Sequence, residues 1–479
     1  MFKRPEFEPA APVKVMPNIG ALMDIPTGTF IQGKYGEWIL NGGMAFVTGI
    51  AGIGNNFKST IMDYMSLSAM VRIWYATPSY LNTYDTEVNI HETHKRNFFQ
   101  RYMDIFKEDI LNTGAWTITD KTKYSGNKWY EIHKEHMVTM RNTPDKDRFD
   151  TPFLNRDGKT LFRIPTPTFA QVDSFTRFET DDVAKIQDEN ELGDSGGNTM
   201  HMRQGLAKSR FLLELPGLTG ASYNYMMLTA HIGKEIAMAS GPMAPPPPKK
   251  LQHLKHGDKL KGTTDQFTFL TGNCWQAYNA APMINQTTKG PEYPIAGKEN
   301  HQGDTDLNCV KLRQLRGKSG PSGMNIDLIV SQTEGVLASL TEFHYLKENG
   351  RFGLDGSDRN YSITLCPGIN LSRTTVRSKI DEHPKLRRAL NIQAEMLQMQ
   401  QLWADQGNLP CAPHVLYNEL KAKGYDWDIL LETRGWWTLD NDKQEIPFLS
   451  TMDLLKMRIG EYHPYWYPVK KEDLKPVKL

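Results

Sequence analysis

Gly52-Ile53-Gly54-Asn55-Asn56-Phe57-Lys58-Ser59-Thr60 follows an apolar run at residues 44–50 and opens a segment, 59–73, with helical spacing of apolar residues. A strand, a glycine-bearing loop and a helix in that order let the backbone curl until its N–H groups converge on a polyphosphate. The new helix adds the positive end of its dipole. Lys58 stands where an ammonium reaches the outer phosphates, and Ser59 where a hydroxyl can hold magnesium. Gly52, Gly54, Asn55, Asn56, Phe57, Lys58, Ser59 and Thr60 are the candidate nucleotide-binding residues. The usual motif has glycine directly before the lysine, whereas Phe57 occupies that place here. One wall of the cradle is changed, and the spacing from Gly52 to the lysine–hydroxyl pair is kept. The competing reading is a polar loop capping an ordinary helix.

The chain has 479 residues, enough for two or three domains, and its 39% hydrophobic and 23% charged content is ordinary for a soluble protein. The net charge of +1 means that a polyanion would be held by local patches rather than by an overall field. Cys274, Cys309, Cys366 and Cys411 lie far apart without paired spacing, which suggests buried thiols in a reducing compartment. No secretory signal and no stretch of membrane-spanning length is apparent, so a cytoplasmic location is expected.

Residues 1–24 are proline-rich and read as an extended N-terminal arm. Residues 25–360 read as an α/β core with a mainly parallel sheet flanked by helices, the closely spaced later strands suggesting an antiparallel edge. The polar and aromatic stretch 120–151 resembles an insertion. The Gly-, Asp-, Ser- and Asn-bearing stretch 355–361 suggests a domain boundary. Residues 361–479 then read as a smaller, mostly helical domain. Its order of helices at 386–405, 413–423 and 426–433, with a hairpin from 435–439 to 446–449, is that of a winged helix, which often binds duplex DNA. A packing module is the plainer alternative.

Hydrolysing a triphosphate needs a carboxylate near magnesium, a group that orients water, and positive charge facing the γ-phosphate. Thr168-Phe169-Ala170-Gln171-Val172-Asp173-Ser174 reads as a strand ending in an acid, and Asp173 is the candidate partner of Ser59 at the metal, with a turn role as the alternative. Thr83-Tyr84-Asp85-Thr86-Glu87 lies one helix after the loop. An acid leaving that strand would face the same crevice at the carboxyl edge of the sheet. Glu87 is thus the candidate for activating water, against the plainer reading of a solvated surface acid.

The Phe-Lys-Ser form of the loop, the Tyr-Asp-Thr-Glu segment and the Val-Asp-Ser strand end together resemble RecA-superfamily recombinases, in particular the phage UvsX-like branch. The resemblance spans about 24–354 in motif order. It implies a RecA-like P-loop core, ATP and Mg2+ as ligands, and a homo-oligomer, filament or ring, with ATP between subunits. The setting would be the bacterial host cytoplasm if the chain is phage-encoded. It implies that Lys58 and Ser59 bind phosphates and magnesium, that Asp173 is the Walker-B acid and that Glu87 is the catalytic glutamate. Residues 225–231 form an apolar strand whose end in the family carries a γ-phosphate sensor, here His231. Arg316 and Lys318, before a Gly-Pro-Ser-Gly turn, stand where related ATPases place basic residues that reach the neighbouring subunit's nucleotide. Phe7-Glu8-Pro9-Ala10 has the Phe-x-x-Ala form that some recombinases use for docking onto the next subunit.

After the sensor strand the family presents a mobile DNA-binding loop. That interval here carries Lys234, the run 244–248 containing four prolines, and Lys249, Lys250, Lys255, Lys259 and Lys261, with Asp258 the one opposing acid from 249 to 261. Such a segment can neutralise several phosphates of single-stranded DNA. No aromatic platform for base stacking lies between 234 and 261. The expectation is a DNA-dependent ATPase that assembles on single-stranded DNA and pairs it with a homologous duplex. A hexameric DnaB-type replicative helicase built on the same core is the main rival, and a non-hydrolysing nucleotide-binding scaffold the third reading.

Overall fold

A strand without a polar face belongs in the middle of a sheet covered on both sides. Val47–Gly52 is buried at all six positions, and it organises the rest of the fold. The computed structural model describes residues 7–181, 183–185, 197–234, 251–264, 266–299, 301–357, 359–403 and 409–475. Lys249, Lys250, the proline run and residues 186–196 lie outside them.

The hairpin Thr29–Gln32 (β1) and Trp38–Asn41 (β2) leads into Val47–Gly52 (β3) and the helix Lys58–Trp74 (α1). Leu81–Asp85 (β4), the helices Glu92–Phe99 (α2) and Met103–Phe106 (α3), Trp116–Asp120 (β5) and Gly126–Arg141 (α4) follow. A small hairpin, Phe149–Leu154 (β6) with Leu161–Ile164 (β7), precedes Thr168–Asp173 (β8), the helix Gly197–Ser222 (α5) and Asn224–Lys234 (β9). Asp258–Lys261 (β10), Gln266–Leu270 (α6), Asn273–Pro282 (β11), Leu307–Gly317 (β12), Asn325–Ser331 (β13) and Gly335–Val336 (β14) complete the core.

Ten strands form one sheet in the order β14-β13-β12-β11-β3-β9-β8-β4-β5, with β10 added to β9. The six strands from β11 to β5 are mutually parallel, and β12, β13 and β14 close the sheet in antiparallel fashion. The protein is therefore α/β, with a large mixed sheet flanked by helices. One apolar cluster fills the α1 face, with Ile61, Met65, Phe169 and Trp275. A second fills the α4–α5 face, with Trp129, Val172, Phe211 and Leu228.

Several expectations are corrected. Residues 13–24 pack on the core and do not project from it: Val15, Ile19 and Met23 are buried, and the hydroxyls of Tyr225 and Tyr64 donate to the Val15 and Ile19 carbonyls. Phe7, 83% exposed, does project. The stretch 120–151 is no insertion, because it contains α4, whose Trp129 stacks on Tyr84 of β4 with ring centroids 5.0 Å apart. Around the stretch 355–361 the chain forms a three-stranded sheet, Leu354–Ser357, Asn360–Ile363 and Cys366–Leu371. A third apolar cluster runs through it, joining Ile329 and Leu337 of the core to Leu390, Leu430 and Leu454.

The C-terminal helices Pro384–Leu402, Pro413–Ala422 and Trp427–Leu431 form as expected. The hairpin of a winged helix does not. A single bridge joins Arg434 to Phe448, and a further helix, Thr451–Ile459, follows under a Ser450–Asp453 capping box. The reason lies in Arg434, whose guanidinium donates to the carbonyls of Ile446, Trp436 and Asn441 and to the Asn441 side chain. Those bonds shape an irregular loop in place of a strand ladder, and Trp437 is driven into the core against Phe153.

Candidate functional site

The loop after β3 turns tightly. Asn55 and Phe57 are both left-handed, with φ of 61° and 56°, and Asn56 lies between them. Asn56 fastens the loop to the neighbouring strand by donating to the Ala277 carbonyl at 2.8 Å. A Cβ at Gly52 would stand 2.8 Å from that same oxygen, so the strand end accepts only glycine. α1 begins at Lys58 with no side-chain cap, and its first N–H groups have no partner within the helix. The Phe57 ring packs, partly buried, against the apolar cluster on the α1 face. The lysine Nζ donates to the Ile53 carbonyl at 2.7 Å. Burial lowers the Lys58 pKa, and the charges of Asp173 and Glu87 oppose that shift. Ser59 and Thr60 are partly exposed in the first turn of α1.

Register brings the other residues to this edge. Gly52 pairs with His231, Val172 with Leu228, and Asp85 with Asp173. Neighbouring strands are about 4.8 Å apart, so the carboxyl ends of β3, β9, β8 and β4 line one crevice. Asp173 Oδ1 accepts from Thr229 Oγ1 at 2.7 Å. The Asp173–Ser174 peptide is cis. Glu87 Oε1 accepts from Ser174 Oγ at 3.1 Å and lies 3.3 Å from His231 Nε2. Glu87 and His231 are each about one-third exposed. The turn carrying Glu87 is built by Asp85, whose carboxylate accepts four backbone N–H groups, from Glu87, Val88, Asn89 and Ile90. Thr86 ties the two strand ends by accepting from Ser174 N and donating to its carbonyl.

Lys58, Glu87, Asp173 and His231 are thus brought together. Asp85, Thr86 and Thr229 support them and were not singled out from sequence. An Asp two to five residues before backbone donors is a turn-forming pattern that could have marked Asp85. Nothing local marks Thr229, which meets Asp173 only through the β8–β9 register.

Arg316 and Lys318 are not part of this cluster. Arg316 pairs with Cys274, which pairs with Gly49, and Lys318 N donates to the Gly272 carbonyl, so both sit toward the opposite edge of the sheet. The Arg316 guanidinium lies over Phe269, 5.2 Å from the ring centroid. Burial lowers the Lys318 pKa, and Arg316 and Lys14 add to the shift.

Beyond His231, β9 continues past the site and pairs with β10. Lys255, Lys259 and Lys261 are exposed along this ribbon. Lys234 is engaged by Asp258 at 2.5 Å. Among the described residues no group of three or more His, Cys, Asp or Glu side chains is placed to hold a metal ion. No described helix is long and apolar enough to cross a membrane. A scan against protein-family models finds no match, and a search of curated protein sequences finds none either.

Proposed function

We propose that this chain is an ATP-dependent, DNA-binding ATPase of the RecA type that assembles on single-stranded DNA and promotes pairing with a homologous duplex. The observation that carries the reading is the uncapped N-terminus of α1, wrapped by a left-handed loop at the sheet edge where Lys58, Asp173, Glu87 and His231 converge. Ligands of parallel sheets bind in such crevices.

The residues present fit a magnesium–nucleotide ligand. The loop offers unpaired helix N–H groups and no side chain at Gly54, where an added Cβ would meet nothing within 4 Å. The Ser59 hydroxyl and the Asp173 carboxylate are hard oxygen donors of the type magnesium takes alongside phosphate oxygens. When bound, the ion would neutralise charge on the phosphates. Lys58 would exchange the Ile53 carbonyl for phosphate oxygens. Glu87 would orient the attacking water by accepting its proton, and Ser174 and Asp85 keep that carboxylate in place. His231, bonded to Glu87 and following the β9 strand into the basic ribbon, would report the γ-phosphate to the DNA contacts at Lys255, Lys259 and Lys261. Arg316 and Lys318, facing away from their own crevice, suit the nucleotide of a second copy, which supports a homo-oligomer.

ATP turnover with and without single-stranded DNA tests the enzyme. No DNA-stimulated hydrolysis would defeat the proposal in favour of a non-hydrolysing scaffold. Electron microscopy on single-stranded DNA with ATP tests the assembly: filaments support recombination, and closed rings would make the chain a helicase.

A further inference from the structure

The turn after Asp173, β9 at His231 and the end of β10 meet beside one buried amine. Lys208 of α5 is 2% exposed. Its Nζ donates to the Thr176 carbonyl at 2.9 Å and to the Gly262 carbonyl at 2.6 Å, and it lies 5.4 Å from the centroid of the Phe175 ring. Burial pulls its pKa down to about 8, with Glu179 opposing and Arg177 adding to the shift.

Thr176, three residues past Asp173, is the centre of this junction. Its hydroxyl accepts from the His231 backbone N–H at 2.9 Å and donates to the Lys261 carbonyl at 3.0 Å. Gly262, left-handed at φ +59°, lets the ribbon come this close, since a Cβ there would stand 2.7 Å from the Thr176 carbonyl oxygen. The segment holding Asp173, the strand holding His231 and the strand holding Lys259 and Lys261 therefore touch at one point. Lys208 is the side chain that binds both carbonyls across it. Its ammonium, buried, loses heavily if either carbonyl moves away, so the two segments shift together or not at all.

We propose that Lys208 is a positioning residue that couples the Glu87–Asp173–His231 crevice to the basic β9–β10 ribbon, so that a polyphosphate in one and a nucleic-acid strand on the other change each other's affinity. The inference rests on the proposed function and adds the side chain through which its two sites communicate. Such coupling is reciprocal.

The test compares the full chain with Lys208→Met, which keeps the stem and removes the donors, and with Lys208→Arg, which keeps charge and donors. ATP turnover is measured without and with oligo-dT, and thermal melting reports folding. For Lys208→Met, DNA-free kcat and the KM for ATP are expected within about twofold of the parent, and DNA stimulation should fall about tenfold, within the usual range of coupling. The oligo-dT affinities measured with ADP and with a non-hydrolysable ATP analogue should converge. Lys208→Arg should keep most of the stimulation. Should Lys208→Met fail to fold, Gly262→Ala disturbs the same junction from the ribbon side and is expected to lose stimulation likewise. Full stimulation in a folded variant, or a parallel fall of DNA-free turnover, overturns the coupling. A parent chain without any ATP turnover overturns the reading of the crevice itself, a separate and recognisable result.

Discussion

Replacing Phe57 separates two opposing energies at the most unusual position of the loop. Its left-handed backbone, φ 56°, costs a non-glycine residue about 1–2 kcal/mol. Its partly buried ring packs on the α1-face cluster and returns about 1–1.5 kcal/mol, roughly half of the full burial of a phenylalanine. Phe57→Gly loses the ring but also the backbone strain, so its stability should lie within about 1 kcal/mol of the parent, allowing for the freedom glycine gains when unfolded. Phe57→Ala loses the ring and keeps the strain, and should fall about 1 kcal/mol below the glycine variant. Chemical denaturation should therefore rank the midpoints parent, Gly, Ala, with the first two close together. Calorimetric titration adds the functional half: since the ring packs on the core, Phe57→Gly should bind ATP within about threefold of the parent, a change of less than 1 kcal/mol. An alanine variant at least as stable as glycine would refute the left-handed backbone. A tenfold gain in affinity on removing the ring would show that the ring obstructs the crevice.

Lys58→Ala should abolish ATP binding in the same titration, because it removes the ammonium that faces Asp173 and Glu87 in that crevice. Glu87→Gln should still bind ATP, hydrolyse it at least about 100-fold more slowly, and stay on DNA; normal turnover would move the catalytic role elsewhere. Lys95→Met leaves Asp63, buried within α1, without the ammonium now 2.5 Å away, which should cost about 3–5 kcal/mol, and the double variant with Asp63→Leu should recover much of that loss in unfolding experiments. Burial raises the pKa of Asp24 to about 7 and of Glu342 to about 8. Between about pH 4 and 8 the folded chain then binds more protons than the unfolded one, so these groups make stability fall as pH rises. Glu342→Gln, neutral at every pH, should flatten that fall in melting temperature, and an unchanged slope would show that Glu342 is ionised in the folded chain.

What the sequence determined by itself is local. The apolar run, the paired Lys58–Ser59 and the helical spacing after them placed β3, the loop and α1, because each depends on residues a few positions apart. The same holds for β8 ending at Asp173 and for the apolar start of β9, whose buried residues form continuous runs. β5 was missed because Trp116–Asp120 is short and largely half-exposed at the sheet edge. The C-terminal wing was misread because Trp436, Trp437, Ile446 and Phe448 have strand-like composition, and only the bonds of Arg434 reveal that the loop is organised by one side chain.

Tertiary structure alone decided which of these local pieces meet. Glu87 and His231 are 144 positions apart, and their contact depends on β4, β8 and β9 lying side by side in register, which no local pattern specifies. Thr229 beneath Asp173, and Lys208 spanning Thr176 and Gly262, follow from that same register. So does the placement of Arg316 at the far edge, since β12 runs antiparallel to β11. Hydrogen-bond partners across a sheet are chosen by strand order and by the burial of whole faces, and those belong to the folded chain as a whole.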